Sequence, residues 1–341
     1  MSDSRSQRAH QFLQDCGWGA AKRQPLAGDA SDRRYERLMR DGTTAILMDA
    51  PPGTGDDPAD FIRIGTHLQT LGLSPPAILA QDLAQGFLLL EDLGDALFAR
   101  IVETSPTLEK PLYLAATDVL LHLQSHSAPP GLPDLAATDW AEAAAFALDW
   151  YRLGAIGQAA TDLARADFVQ RLGQLMQAHA DGPRVLILRD YHAENLLHLP
   201  QRNGIRSVGL LDFQLGQMGQ PAYDLVSLLQ DARRDVSAPV ANACIRHFAT
   251  RTQTDETAFR TTLAVIGAQR ALRILGIFAR LCLVRGKSEY PRMIPRVWGQ
   301  LQQNLAHPAL AEFRTVCHDL LPPPTAIVLE RIRSQCATMS P

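Results

Sequence analysis

The sequence predicts an α+β fold in two lobes: a small mixed α/β lobe over residues 1–93 and a larger, mostly helical lobe over residues 94–341. Three observations carry this. Short apolar runs with strand spacing crowd the first part of the chain. Apolar residues recur every three to four positions over most of the remaining length. A turn-rich break, Asp92-Leu93-Gly94-Asp95, separates the two patterns.

Element by element, residues 5–16 read as a short amphipathic helix and residues 33–40 and 43–49 as strands. A Pro/Gly/Asp loop from Pro51 to Pro58 leads into a helix from about Asp60 to Leu71. Two strands flank Gln85-Gly86, the second ending at Glu91. Helical spacing marks residues 109–125, 139–154, 161–179, 221–231, 238–250, 257–284 and 308–320. Strand-like runs at 185–188, 196–199 and 208–211 interrupt the helices, and Pro322-Pro323-Pro324 precedes a last amphipathic helix.

Composition narrows the function. A formal charge of −3 gives no dense basic surface for nucleic acid. The N-terminus lacks the apolar core of a secretory signal. No apolar run reaches the roughly 18 residues that span a bilayer. The five cysteines (Cys16, Cys244, Cys282, Cys317, Cys336) are scattered and odd in number, which predicts neither a zinc site nor a disulfide framework and fits a reducing compartment. The expectation is a cytoplasmic protein with neither nucleic-acid nor membrane partners.

The chemistry concentrates in Arg189-Asp190-Tyr191-His192-Ala193-Glu194-Asn195 and the later Leu211-Asp212-Phe213. Between them lies Asn203-Gly204, the strongest short hairpin signal. A two-residue turn there puts Asn195 directly opposite Asp212, with β-carbons about 4.5–5.5 Å apart on one face. An amide oxygen and a carboxylate so placed make a hard-oxygen site suited to Mg²⁺ with phosphates. Asp190 stands five residues before Asn195, the spacing used in kinase phosphoryl transfer, where the first Asp serves the acceptor hydroxyl. Taken singly, each is an ordinary cap or turn residue; the three at this spacing point to phosphoryl transfer.

These residues resemble the aminoglycoside phosphotransferase and choline kinase superfamily, whose loop reads H-x-D-x-x-x-x-N followed by a later Asp. Gly219-Gln-Pro221-Ala-Tyr-Asp224 also fits the superfamily, with Asp224 structural. Longer stretches are similar to the bacterial anomeric kinases of N-acetylmuramate and N-acetylglucosamine used in peptidoglycan recycling: Met48–Pro52, Gly86–Gly94, Asp190–Leu197, Pro221–Arg234 and Gly276–Leu281. The resemblance implies a protein-kinase-like two-lobed fold, ATP and Mg²⁺, and transfer to the C1 hydroxyl of a small amino sugar. Aminoglycoside or choline/ethanolamine kinases, and a nucleotide-binding pseudokinase, are the rival readings. Asp190 is the catalytic residue it implies, Asn195 and Asp212 the metal ligands, and the backbone of Glu91 and Leu93 the adenine contacts.

Departures matter too. The usual His of the loop is Leu188, and Met48 stands where strand 43–49 should carry a phosphate-binding Lys. Helix 60–71 has no partner Glu, so the ion pair is lost as a unit, leaving no lone buried charge. Arg33 and Arg34, just after the turn Gly28–Asp32, are the candidates to replace it at the phosphates. For the sugar, Glu142, Trp150 and Tyr151 share one helical stretch, and Arg270 and Arg273 could meet a carboxylate bidentately.

Overall fold

In a computed structural model of the chain the described residues are 2–26, 33–53, 55 and 57–339. The expected turn Gly28–Asp32 lies outside them. The chain opens with α1 (Ser2–Asp15), β1 (Lys22–Leu26), β2 (Arg34–Arg40), β3 (Thr43–Asp49), α2 (Pro58–Thr70), β4 (Ile78–Asp82) and β5 (Phe87–Glu91). Then come α3 (Phe98–Thr104), α4 (Glu109–Gln124), α5 (Ala137–Ala144), a π-helical segment (Ala147–Arg152), α6 (Leu153–Ile156), α7 (Asp162–His179) and β6 (Val185–Ile187). Three short strands come next: β7 (Leu196–His198), β8 (Val208–Leu210) and β9 (Gln217–Gly219). The chain closes with α8 (Tyr223–Leu229), α9 (Ala238–Thr252), α10 (Glu256–Leu283), α11 (Ile294–Leu305), α12 (Ala311–Leu320) and α13 (Ala326–Ser334).

The chain forms two compact units. One comprises residues 1–132 with 188–217, the other residues 133–187 with 218–341. The break after Leu93 therefore falls inside the first unit.

The first unit is built on an antiparallel five-stranded sheet in the order β1-β2-β3-β5-β4. Alternation along the strands sends Leu38, Ala45, Leu47, Phe87 and Leu89 to one face, where Ala9, Phe12 and Leu13 of α1 cover them. Met48, Leu88 and Leu90 point the other way and are equally buried. Arg5 of α1 seals the sheet end: it pairs with Asp49, donates to the Gln85 carbonyl and lies 4.0 Å over the Phe87 ring. Gly86 is required beside it, because its φ is +73° and a β-carbon would overlap the Ala50 carbonyl oxygen.

β7 and β8 form the hairpin of the same unit, with a register that corrects the expected one. Leu196 pairs with Leu210, Leu197 with Gly209 and His198 with Val208. The connection is not a two-residue Asn-Gly turn. It runs through residues 199–207 and ends in a short 3-10 turn, with Asn203 extended and only Gly204 at positive φ. Pro200 has no N–H to continue a tight ladder. Asn195 consequently faces Leu211, whose amide donates to the Asn195 carbonyl at 2.9 Å.

The second unit packs around α10. Its most apolar stretch is long enough to cross a membrane, yet 83% of that window is buried inside the protein, so it is a core helix. Gly276 sits in its middle because any β-carbon there would overlap the backbone of Phe146. Beside that contact the expected helix 139–154 is broken into α5, the π segment and α6. Cys282 of α10 and Cys336 form a disulfide, Cα–Cα 4.9 Å, where the scattered cysteines predicted no disulfide framework. A separation of 54 residues gives no local signal for that bond.

Candidate active site

β6 ends at Ile187, and the chain turns sharply to deliver Asp190. The Asp190 amide donates to the Leu188 carbonyl at 2.9 Å, and Arg189 between them adopts φ +71°. Asp212 is likewise left-handed, φ +55°. Left-handed backbone is uncommon for residues with a β-carbon and is kept where surroundings over-determine it. Those surroundings are visible. Tyr191 is buried and donates to the Ala116 carbonyl of α4 at 2.8 Å, while the Ala193 carbonyl accepts from Ala99 of α3 at 3.1 Å. Phe213 is fully buried, its ring centroid 4.7 Å from that of Phe61 on α2. Burying one such ring contributes roughly 1.5–3 kcal/mol, enough to hold the strained residue beside it.

The register correction puts Asp212 one place beyond the partner of Asn195. Regular alternation would then send the two side chains to opposite faces. The left-handed turn at Asp212 ends the ladder, so that rule stops at Leu211.

Hydrogen bonds decide which atoms remain for chemistry. Asn195 Nδ2 donates to the Asp190 carbonyl at 2.9 Å and lies 3.4 Å from His192 Nε2. Its Oδ1 has no partner among the described residues. Asp212 Oδ1 accepts from Arg33 Nη2 and from Gln214 Nε2, both at 2.9 Å, whereas Oδ2 accepts nothing among the described residues. The Asp190 carboxylate is half-buried and makes no hydrogen bond among the described residues. Two hard oxygens are thus left open, one from an amide and one from a carboxylate. No group of three or more His, Cys, Asp and Glu is placed to hold a metal among the described residues, so an all-protein cage is not on offer. The donor set fits a cation that arrives with phosphate oxygens and water, as Mg²⁺ does.

Arg37 of β2, which has no local signal in the sequence, reaches the turn after β5. Its guanidinium grips Asp92 (Nε–Oδ2 2.7 Å) and Asp95 (Nη1–Oδ2 2.7 Å), and Asp92 Oδ1 also accepts the Gly94 amide at 2.9 Å. The hydrogen bond to Arg37 holds the Asp95 carboxyl below its usual range. This clamp fixes the turn that carries Leu93, whose own N–H has no partner among the described residues. Glu91 is differently placed. Its amide donates to the Ala77 carbonyl at 2.8 Å, and its carboxylate accepts from the Ala77 amide and from Arg202 at 2.5 Å.

Of the two arginines considered for phosphate, Arg33 is buried against Asp212 and Arg34 is exposed. Met48, in the lysine position, is fully buried between Tyr35 and Leu88 in the sheet register.

The residues considered for the sugar all lie in the second unit. Tyr151 is core: fully buried, it donates to the Pro322 carbonyl at 2.7 Å and packs on Trp298. Burial pushes its phenol up, and no ring face remains for a sugar. Glu142 shares Arg165 with Asp149, and the Asp149 hydrogen bond contributes most to raising the guanidinium's pKa. Trp150 is half-buried under Arg280 at 5.5 Å. Arg270 is buried and caps the end of α8 through the Gln230 carbonyl (3.2 Å) and Ser227 hydroxyl (2.7 Å). Arg273 is partly exposed one turn further along α10.

Comparison with known proteins places this architecture. The profile described as the phosphotransferase enzyme family matches residues 22–259. An N-acetylmuramate/N-acetylglucosamine kinase of Caulobacter vibrioides is 39% identical over 92% of this chain and 96% of its own length. The protein of the same description in Pseudomonas aeruginosa is 30% identical over 91% and 95%. Among solved structures, a choline/ethanolamine kinase family protein from Mesorhizobium loti covers 97% of this chain and 99% of its own with TM-score 0.61 and 14% identity. The ADP-bound aminoglycoside phosphotransferase APH(2'')-Ib covers 86% and 96% with TM-score 0.57 and 13% identity. The fold is therefore the protein-kinase-like one that the sequence reading expected.

Proposed function

The chain belongs to the phosphotransferase enzyme family, and from that membership we propose that it transfers the γ-phosphate of ATP to the C1 hydroxyl of N-acetylmuramate or N-acetylglucosamine. Similarity over most of the chain to four proteins described as kinases of these two sugars supports the substrate class. The observation that carries the chemistry is the loop itself: Asn195 is tied to the Asp190 backbone while its Oδ1 and the Asp212 Oδ2 stay open.

Asp190 orients the acceptor hydroxyl and takes its proton. A half-buried carboxylate without hydrogen bonds to the described residues suits that task, since it must bind its proton only as the new bond forms. Asn195 and Asp212 would hold Mg²⁺, which neutralises charge on the phosphates when bound. Phosphoryl transfer has a loose transition state, so most of the acceleration comes from positioning. The anchors of Tyr191, Ala193 and Phe213 supply it by fixing the loop on α2, α3 and α4. Leu93 N–H, presented by the Arg37 clamp, is the adenine donor, and Leu88 and Leu90, on the sheet face away from α1, line the base. Glu91 contributes chiefly by closing the sheet against Ala77. Residues 1–93 with the hairpin serve the nucleotide, and residues of the later helices serve the sugar. We place the enzyme in the cytoplasm, where both ATP and recycled amino sugars are found.

The deciding experiment is ADP release with Mg-ATP across free amino sugars, aminoglycosides, choline and ethanolamine, followed by phosphorus NMR of the product. A sugar 1-phosphate is the expected product. Turnover only with amines, or nucleotide binding without ADP release on any acceptor, overturns the reading.

A further inference from the structure

Cys282 and Cys336 meet where the chain after α13 lies along the end of α10. The Ala337 amide donates to the Cys282 carbonyl at 2.9 Å, and the Met339 amide to the Leu283 carbonyl at 3.1 Å. Gln335 Nε2 donates to the Gly154 carbonyl of α6 at 3.1 Å. Gly154 itself is packed tightly: a β-carbon there would stand 3.0 Å from Leu283 and 3.3 Å from Ile332. None of these contacts needs the S–S bond, so the two sulfurs are presented to each other before it forms. The reduced pair is accommodated as well. Cys282 Sγ lies 3.7 Å from the Ile332 carbonyl oxygen, within reach of a weak S–H donor.

The two ends of the bond differ in access. Cys282 is fully buried, whereas Cys336 is partly exposed. Arg331 and Arg333 are exposed at the end of α13, and Arg285 and Lys287 flank Gly286, whose β-carbon would stand 3.4 Å from that of Ala337. These cations outnumber Glu289 and Glu330 in the segments that meet here. Positive surroundings favour the thiolate, the form that attacks a disulfide, and attract an anionic disulfide to it. The remaining cysteines lack this setting. Burial raises the Cys317 thiol, burial and then Asp15 raise that of Cys16, and Cys244 is buried in α9.

We propose that Cys336 is a thiol–disulfide exchange site which, with Cys282, makes a reversible latch fastening α13 to α10 and α6. The co-reactant is a small anionic peptide disulfide of the glutathione type. The Cys336 thiolate attacks one of its sulfurs, forming a mixed disulfide and releasing one small thiol. Cys282 then gives up its proton and attacks the Cys336 sulfur, closing the protein bond and releasing the second small thiol. Two protein thiols are oxidised and one small disulfide is reduced. Excess small thiol runs both steps backwards, so the latch stands open where glutathione keeps thiols reduced and closes as its disulfide accumulates. The latch is independent of which acceptor the enzyme phosphorylates.

For the test, the full chain is equilibrated with reduced and oxidised glutathione at a series of ratios, quenched with an alkylating reagent and mapped by mass spectrometry. The Cys282–Cys336 bond should open and close in one transition, reached equally from the oxidised and the reduced side. C282S, which keeps the size of the side chain, should collect glutathione on Cys336, and C336S should collect none on Cys282. Trypsin should cut the unaltered chain at Arg331 and Arg333 at least about tenfold more slowly after closure than before, because cleavage follows local opening. A bond that never forms, or one that persists in the folded chain under excess reduced glutathione, overturns the proposal. Equal trypsin rates in the two forms overturn it too, since a bond that fastens nothing is not a latch. Should C282S not fold, the unaltered chain quenched at intermediate ratios still decides: its mixed disulfide should be on Cys336, and glutathione found on Cys282 instead refutes the site.

Discussion

Asn195 Nδ2 donates to the backbone carbonyl of Asp190 at 2.9 Å, closing the four residues between them into a ring. The tie means that the two residues act as one part. Replacing Asp190 by Asn removes the proton acceptor and leaves the tie intact, since only the backbone of Asp190 takes part. We expect kcat to fall by about 10²–10⁴ with the melting temperature nearly unchanged. Replacing Asn195 by Asp turns a donor into an acceptor facing a carbonyl, so activity should fall and stability should drop by roughly 1–3 kcal/mol. ADP release and thermal melts on the two proteins check the contrast. Equal melting temperatures with equal loss of rate would contradict it.

Tyr151 separates a core role from a substrate role. Tyr151→Phe deletes the hydrogen bond to the Pro322 carbonyl and keeps the ring. Stability should drop by about 1 kcal/mol, and KM for the sugar should not move. A raised KM at unchanged stability would return Tyr151 to the sugar site.

Gly276 tests the packing of the second unit. An alanine methyl there meets the Phe146 backbone and side chain, which cannot withdraw as a flexible tip would. Overpacking of this kind costs about 1–3 kcal/mol, and the displaced π segment carries Trp150 with it. Urea melts should show the loss; an unaltered midpoint would mean that the helices separate freely.

The His67 imidazole on α2 titrates below its ordinary value of 6.5, first through desolvation and then through the nearby His126. A depressed histidine resists protonation in the folded state and accepts it when unfolded. Stability is therefore fully present above about pH 6.5 and declines as pH falls from there through the lower folded value. In His67→Gln the decline below about pH 6.5 should flatten, as read from urea midpoints across pH. An identical slope in both proteins would remove His67 as its source.

Much of this is legible in the sequence, and the misses have physical causes. Strands at 33–40, 43–49 and 87–91 and the helix from 257 are readable because period-2 and period-3.6 burial leave regular patterns. The helix Ile294–Leu305 carries Pro295 in its first turn, a residue that reads as a breaker and hides the helix. β9 is three residues long and has no periodicity to detect. Asp190, Asn195 and Asp212 can be read from spacing. Their geometry cannot, because the hairpin turn is set by Pro200 and the 3-10 segment rather than by Asn203-Gly204. The Arg37 clamp joins residues 55 and more apart, and long-range ion pairs of that sort have no local signature.

The first unit is made from two visits of the chain, residues 1–132 and then 188–217. A ribosome delivers them in that order with residues 133–187 between. While the nascent chain is still short of residue 217, α4 and the bridge residue Ser74 between α2 and β4 have no hairpin to pair with, and the Phe61 face of α2 waits for Phe213. Synthesis at about 5–20 residues per second makes that wait several seconds long. Stabilising contacts so distant in sequence also form slowly. Chaperone dependence during translation, and failure of a fragment ending near residue 132 to remain in solution, are what this order of assembly entails.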